Sequence, residues 1–232
     1  MCEKIVTPRG ALICRDCKKE LRYIKQPSCM RCGRQLSYAE HEYCSECAGK
    51  RFSYDRGYAV WQYDARMRHS LGAFKYHSKR EYADFYVTEA VRLYGDRIRA
   101  QAPEVLIPVP IHRAKRKQRG FNQAECLAER LGAQLGIPVD AGCLVRHKKT
   151  MPLKELGAKE RARELHGAFR IREKVPPGYR SVMLVDDIYT TGNTLEECAA
   201  VLKKAGVQKI TFLCIAIGAT GNKNQKGDKA WT

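Results

Sequence analysis

The sequence predicts an α/β domain with a twisted, mostly parallel sheet and helices on both faces, preceded by a small cysteine-rich unit. Four apolar residues from Val182 run into two carboxylates, as a buried parallel strand does at the carboxyl edge of its sheet. A helical pattern at 193–205 and an apolar strand at 209–217 complete a βαβ unit. At the other end of the chain, seven of the 11 cysteines lie in the first 47 residues.

The spacing of apolar residues predicts the remaining elements. Alternation predicts a strand at 57–63, a short apolar run predicts one at 104–108, and helical spacing predicts helices at 65–76 and 80–99. Asn122 and Glu125 form a capping box at the start of a further amphipathic helix. We therefore expect a cysteine-rich unit at 1–50, an α/β domain at 51–218 and a disordered polar tail at 219–232.

The charge balance points to a polyanionic partner. Lysine and arginine outnumber aspartate and glutamate by 43 to 25 in 232 residues, a formal net charge of +18. This excess is large for an enzyme that acts on small molecules and favours nucleic acid, although basic surfaces also serve solubility. The longest apolar stretch is too short to span a bilayer, and no secretory signal precedes the cysteines, so we expect a cytoplasmic protein.

Four cysteines have the spacing of a zinc ribbon. Two C-x-x-C pairs are separated by eleven residues, and four thiolates close a tetrahedral site with no open position, as in structural zinc sites. The alternative is a redox pair, which two pairs at this spacing disfavour. We therefore predict a structural Zn²⁺ ion bound by Cys29, Cys32, Cys44 and Cys47.

A second zinc site is predicted from fewer ligands. Cys14 and Cys17 form another C-x-x-C pair, and Cys2 is the further cysteine near them. A fourth ligand is missing from this set. Either it lies upstream of Met1, or His41 supplies it.

The segment after the 182–186 strand is suited to a phosphate monoester. Its hydroxyls, a flexible glycine and the amino end of the following helix can all donate to an anion. Asp186 and Asp187 precede it, where they can accept hydrogen bonds from vicinal ribose hydroxyls. The alternative is an ordinary turn with Asp186 or Asn193 as helix cap. The predicted cradle comprises the two aspartates with Thr190, Thr191, Gly192, Asn193 and Thr194.

A basic segment precedes the helix that begins near Asn122. Five of the eight residues 112–119 are lysine or arginine, and we interpret this segment as a loop beside the cradle. The polar interval 146–169 is interpreted as a flap. Candidate DNA contacts are Arg113, Lys115, Arg116, Lys117, Lys148 and Lys149. The alternatives are a solvated loop and, for Arg119, a residue at the start of a helix.

The segment from Asp186 to Thr194 resembles the PRPP-binding loop of type I phosphoribosyltransferases. Together with the ribbon cysteines and the Arg-Gly-Phe-Asn-Gln motif at 119–123, it resembles the ComF family of bacterial competence proteins over nearly the whole chain. Lys75 and the Pro-Val-Pro sequence at 108–110 also fit. In the flap, Leu153 and Glu164 stand where the family usually has glutamine and asparagine.

The resemblance implies two competing classes of function. One is a binding module that holds PRPP with Mg²⁺ and handles incoming single-stranded DNA, together with other DNA-uptake proteins; we favour this class. The other is an enzyme that transfers ribose 5-phosphate to an acceptor and releases pyrophosphate, which Arg119 would help to neutralise. The sequence assigns no catalytic residue.

Overall fold

The computed structural model describes residues 6, 10–77, 79–148, 158–173 and 179–219. Cys2, Lys149, Thr150, Leu153 and the tail from 220 onward lie outside the described residues. The elements follow the chain as α1 (Arg15–Lys19), β1 (Arg56–Gln62), α2 (Ala65–Tyr76), α3 (Tyr82–Gln101), β2 (Val105–Pro108), α4 (Arg113–Arg119), α5 (Gln123–Leu135), β3 (Leu144–Arg146), α6 (Ala158–Leu165), β4 (Phe169–Ile171), β5 (Ser181–Tyr189), α7 (Asn193–Lys204) and β6 (Lys209–Ile217).

A four-stranded parallel sheet organises the chain. Its strand order is β1-β6-β5-β2, and β5 and β6 are buried along almost their whole length because they occupy the middle. The short strands β3 and β4 form a separate antiparallel pair that brackets most of the 146–169 interval. The predicted α/β class with a parallel sheet is confirmed.

The two faces of the sheet carry two different cores. Helices α2, α3 and α5 cover one face with a cluster rich in aromatic side chains, among them Trp61, Phe74 and Tyr86. Helix α7, the β3–β4 pair and the cysteine-rich unit cover the other face. Residues 22–24 also run beside β1, where the Ile24 amide donates to the Val60 carbonyl at 2.9 Å. The cysteine-rich unit is therefore built into the fold and covers one edge of the sheet.

The basic segment predicted as a loop is the helix α4, so that interpretation was wrong. Lysine and arginine have good helix propensity, and the His112 side chain accepts a hydrogen bond from the Ala114 amide at the amino end. Gly120, with φ of +82°, ends the helix. The capping box is half right: Asn122 accepts from the Ala124 amide, whereas the Glu125 carboxylate receives Arg116.

Glu89 joins the cysteine-rich unit to α3. Its carboxylate accepts hydrogen bonds from Tyr23 at 2.7 Å, from Lys18 at 3.0 Å and from Arg92 at 2.7 Å. Burial by itself would raise the pKa of Glu89, but the hydrogen bonds from Arg92, Tyr23 and Lys18 hold it below its usual value. Its stabilising contribution is therefore present above the unfolded pKa, about 4.3, and is lost as the pH falls through the folded pKa.

We expect Glu89→Gln to lower the free energy of unfolding at pH 7 by about 1–3 kcal/mol, because a buried ionic acceptor is replaced by a neutral one. The difference from the wild type should shrink below about pH 4. Denaturant unfolding at both pH values measures it. The control is Asp96→Asn on the same helix, where an exposed carboxylate pairs with Arg99. Equal losses in both variants would contradict the role given to Glu89.

Candidate functional site

Strand β5 extends three residues beyond the predicted end and carries both aspartates to the carboxyl edge of the sheet. Asp186 pairs in register with Cys214 of β6. After Tyr189 the chain turns, and α7 begins at Asn193 with Gly192 at the N-cap and a φ of +80°. Because Gly192 occupies the cap position, the interpretation of Asp186 or Asn193 as cap is not supported. Asp186 lines a concavity with Thr190, Gly192, Asn193 and Thr194.

The two carboxylates have different neighbours, since successive residues of a strand point to opposite faces. Asp187 accepts a hydrogen bond from the Gln123 side chain of α5 at 3.2 Å and forms an ion pair with Lys75 of α2. Asp186 accepts from the amide of Asp187 at 2.8 Å and faces the concavity. Both are buried, with 8% and 4% of their surface exposed. The Asp187 carboxylate is thus held by one lysine and one glutamine amide, and the Asp186 carboxylate faces the turn.

Burial and proximity drive the two pKa values apart. Burial and the charge of Asp187 raise the pKa of Asp186 well above its usual value. Burial acts on Asp187 as well, but the Lys75 ammonium holds the pKa of that carboxyl below its usual range. The pair therefore behaves as one unit in which a proton is retained preferentially on Asp186. Such an arrangement is common where buried acids meet a polar ligand.

Cationic side chains surround the acid pair. Arg119, at the end of α4, donates to the Gln123 side chain, which in turn donates to Asp187. The Arg119 guanidinium also lies over the ring of Tyr76, 4.9 Å from its centre. Tyr76 directly follows Lys75 in the chain. Arg119 is therefore connected to Asp187 through Gln123, and its role as a pyrophosphate ligand stays a prediction. Arg119, Gln123 and Asp187 thus form a chain of contacts, with positive charge at the rim of the site and negative charge inside it.

The DNA contacts predicted on α4 lie on an exposed surface that leads to Arg119. Lys148 is exposed where β3 ends, and Lys149 lies outside the described residues. Arg116 is paired with Glu125 at 2.6 Å, so its charge is partly neutralised. The basic residues of α4 that present their side chains to solvent are Arg113, Lys115, Arg116 and Lys117.

The four ribbon cysteines form a buried cluster. Their sulfur atoms all lie within 4.8 Å of one another, and the Cys32 and Cys44 sulfurs are 3.7 Å apart. Tetrahedral zinc with bonds of about 2.3 Å needs sulfur separations of about 3.8 Å, so the cluster fits the ion. Gly33, with φ of +76°, packs so closely on the Gly57 carbonyl that a Cβ atom would lie 2.7 Å from its oxygen. The thiols thus sit against the first strand of the sheet.

Cys14 and Cys17 are also close together. The Cys17 amide donates to the Cys14 sulfur at 3.4 Å, at the start of α1. Amide-to-sulfur bonds of this kind occur in C-x-x-C metal knuckles. Cys2 is outside the described residues, so a second zinc ligated by these three cysteines stays a prediction.

Comparisons with known proteins match both parts of the chain. A family model described as a double zinc ribbon domain matches residues 1–48, and one described as a phosphoribosyl transferase domain matches residues 124–231. The first match and the four-thiol cluster together support structural zinc in this chain. The second match covers α5, the β5–α7 turn and the acid pair.

The curated relatives include proteins named for competence and for DNA utilization. Competence protein F of Haemophilus influenzae is 40% identical over 47% of this chain and 48% of its own length. Competence protein ComFC of Bacillus subtilis is 27% identical over 67% of this chain and 62% of its own length. The resemblance to the ComF family is confirmed. DNA utilization protein YhgH of Escherichia coli O157:H7 is 33% identical over half of each chain. The matched region spans about half the length of the first relatives.

Among solved structures, a purine phosphoribosyltransferase from Pyrococcus horikoshii Ot3 aligns with 57% of this chain and 73% of its own. The TM-score is 0.37 at 24% identity. Within the described part of the chain, no helix has the length and apolar character needed to cross a membrane.

We expect the purified protein to contain at least one tightly held zinc ion per chain, because a closed site of four thiolates is normally filled and needed for folding. Elemental analysis with a count of reduced thiols measures this. Cys32→Ser should lose the ion and much of the folded state. The matched control is Cys143→Ser, a buried thiol outside the cluster, which should keep the metal content. Less than about half a zinc per chain with reduced thiols would contradict the ribbon.

Three residues of the site were not assigned to it from the sequence. Lys75 was noted only as fitting the family, and Gln123 only as part of a motif, yet both hold Asp187. A lysine between two aromatic residues was the available signal for the first. The third is Arg34, which is buried, 6% exposed, and donates to the Thr190 carbonyl of the β5–α7 turn. Its position follows from how the ribbon packs on the sheet, for which the sequence carried no signal.

Proposed function

We propose that this chain binds PRPP or a related phosphoribosyl ligand, with Mg²⁺, at the carboxyl end of β5, and handles single-stranded DNA during the uptake of transforming DNA. The observation that carries the proposal is the buried pair Asp186 and Asp187, with opposed pKa shifts, between a concave turn and a cationic rim. The cytoplasm and other DNA-uptake proteins are its proposed setting.

Each part of PRPP has a matching group. The 5′-phosphate fits the turn that leads into α7, where amides and threonine hydroxyls can donate and the helix dipole favours an anion. Vicinal ribose hydroxyls are suited to the carboxylates of Asp186 and Asp187. The pyrophosphate carries the most charge and fits beside Arg119, which is supported by Gln123.

The carboxylates also suit Mg²⁺. This ion binds through one or two carboxylates and the phosphates of a substrate, with oxygen ligands throughout. Asp186, which faces the concavity, and Asp187, which is held by Lys75, supply such oxygens. Bound there, the ion would neutralise phosphate charge and fix the ligand against the turn.

The DNA part of the proposal is supported by charge and by relatives. Arg113, Lys115 and Lys117 project from α4 into solvent beside the rim. Single strands track such surfaces through their phosphates, with little sequence preference. Two of the relatives are named competence proteins and another a DNA utilization protein, which agrees with a polyanionic partner.

The alternative function is an active phosphoribosyltransferase. The domain match at 124–231 favours it, because that match contains the acid pair and the turn. Transfer passes through an oxocarbenium-like state, so the requirement is charge stabilisation and positioning rather than a covalent nucleophile. The acceptor would enter opposite the departing pyrophosphate.

Incubation with Mg²⁺ and PRPP separates the two functions. Calorimetry measures binding, and a coupled assay measures pyrophosphate release in the presence of candidate acceptors. Binding without pyrophosphate release supports the binding module. Release that depends on one acceptor supports the transferase. Absence of PRPP binding by the zinc-loaded, folded protein overturns the proposal.

A further inference from the structure

The cysteine-rich unit reaches the phosphate turn directly. Arg34 follows Cys32 and Gly33 in the ribbon, and its guanidinium lies between the zinc cluster and the turn. One nitrogen donates to the Thr190 carbonyl at 3.3 Å, and another lies 3.8 Å from the Cys44 sulfur. The guanidinium is also 6.0 Å from the centre of the Tyr189 ring. One buried cation therefore touches a metal ligand and the first residue of the turn.

The contact with Thr190 fixes one peptide plane of the turn. In a trans peptide the carbonyl and the following amide point in opposite directions. With the Thr190 carbonyl held toward Arg34, the Thr191 amide must point away from the ribbon. Loss of Arg34 would free this plane to rotate. Amide directions decide whether a turn donates to an anion, so the plane matters for phosphate binding.

Two further contacts, from residues just after the cysteine-rich unit, flank the turn. The Ser53 amide and hydroxyl donate to the Glu196 carboxylate at 2.9 and 2.7 Å, and Glu196 lies in the first turn of α7. The hydroxyls of Tyr54 and Tyr189 are 2.9 Å apart in the core. Tyr189 in turn packs against the backbone of Gly192, where a Cβ atom would lie 2.4 Å from its hydroxyl. The turn is thus held from the ribbon side at both ends.

We propose that Arg34 is a positioning residue that couples the zinc site of Cys29, Cys32, Cys44 and Cys47 to ligand affinity at the phosphate turn. The coupling rests on the proposed function of that turn. Zinc bound by the four cysteines would fix the position of the Cys44 sulfur, which lies against the guanidinium that donates to the Thr190 carbonyl. Without the ion the four-cysteine cluster loses its fixed geometry, so the guanidinium and the Thr190 peptide lose their anchor.

The first test separates Arg34 from its neighbours. Arg34→Lys keeps the charge but cannot bridge both partners, and Arg34→Ala removes both contacts. With zinc bound, each should weaken PRPP affinity by about tenfold, within the usual range of coupling between sites. Arg31→Ala is the matched control, because Arg31 is a ribbon arginine that donates to the Tyr54 and Asp55 carbonyls instead. It should leave PRPP affinity within about twofold.

The second test uses reciprocity. If zinc strengthens PRPP binding, PRPP must strengthen zinc binding by the same factor. Titration of the wild type with a competing chelator, with and without saturating PRPP, should give about a tenfold difference in apparent zinc affinity. The difference should vanish in Arg34→Lys and persist in Arg31→Ala. Wild-type PRPP affinity retained in zinc-loaded Arg34→Lys, or zinc affinity indifferent to PRPP in the wild type, overturns the coupling.

A third measurement needs no ligand and separates this inference from the proposed function. Amide hydrogen exchange at residues 190–194 reports the rigidity of the turn. With zinc bound, exchange there should be faster in Arg34→Lys than in the wild type, while exchange in β6 stays unchanged. If the wild type does not bind PRPP but this pattern appears, the proposed function fails, whereas the positioning of the turn by Arg34 stands. Identical exchange in both proteins means that Arg34 does not position the turn.

Discussion

Replacing Asp186 and Asp187 together by asparagine is expected to weaken PRPP binding by about two to four orders of magnitude while the chain stays folded. Each charge-assisted hydrogen bond to a ribose hydroxyl or to bound Mg²⁺ contributes about 1.5–3 kcal/mol, and the double replacement removes two such acceptors. Calorimetry with Mg²⁺ and PRPP measures the loss. Glu104→Gln is the matched control, since that carboxylate lies at the opposite end of β5, where it accepts from the Ser181 amide.

A stability measurement tells a ligand site from a structural one. Asp186 has a raised folded pKa, so its contribution is fully present below the unfolded pKa, about 3.9, and declines as the pH rises toward the folded value. At pH 7 the ionised form of Asp186 therefore costs stability, whereas Asp187, whose folded pKa is lowered, contributes stability. Asp186→Asn alone should raise the denaturation midpoint at pH 7 relative to the wild type, and the gain should shrink near pH 4. Unchanged PRPP affinity combined with lower stability would mean that the carboxylate is structural.

The central strand and turn were predictable because local signals agree. Apolar residues from Val182 specify a buried strand, carboxylates cannot continue inside it without partners, and Gly192 allows the positive φ that the cap requires. Only the end of the strand was misplaced. Hydrogen bonds to β6 carry β5 on to Tyr189, which pairs with Ile217. Sheet pairing thus overrides the polarity of the two aspartates.

The site contacts that could not be predicted from the sequence depend on tertiary packing. Lys75 lies on a helix more than a hundred positions before Asp187, and their ion pair exists because α2 packs on the same face of the sheet. Arginine is usually exposed, but Arg34 is buried because the ribbon packs on the β5–α7 turn. Conversely, the density of charge in the α4 segment predicts a loop, whereas the good helix propensity of lysine and arginine favours the helix that forms.

The second large effect is expected on DNA binding, when the charge of the α4 surface is reversed. Reversing Arg113, Lys115 and Lys117 to glutamate is expected to reduce binding of single-stranded DNA strongly and to flatten its salt dependence. Each phosphate contact contributes about −0.7 to the slope of log K against log salt, so three lost contacts change the slope by about two. Arg116 is left intact because it pairs with Glu125, and its reversal would disturb α5 as well. Fluorescence anisotropy of a labelled oligonucleotide at several salt concentrations measures both quantities.

The control for this experiment must change the net charge equally without touching the α4 surface. Arg97, Arg180 and Lys204 are exposed near the end of α3, before β5 and at the end of α7. These positions precede the amino ends of the parallel strands β2, β5 and β6, whereas α4 follows the carboxyl end of β2. Reversal of these three residues to glutamate makes the same change in net charge, so a general electrostatic effect would weaken DNA binding to the same extent.

If only the α4 variant loses affinity and salt slope, with its zinc content intact, the DNA strand lies beside the cationic rim of the acid pair. If both variants lose equally, binding is set by net charge. If neither does, the DNA binds elsewhere, and the basic residues of the ribbon that stay exposed, such as Lys19 and Lys25, are the next surface to reverse.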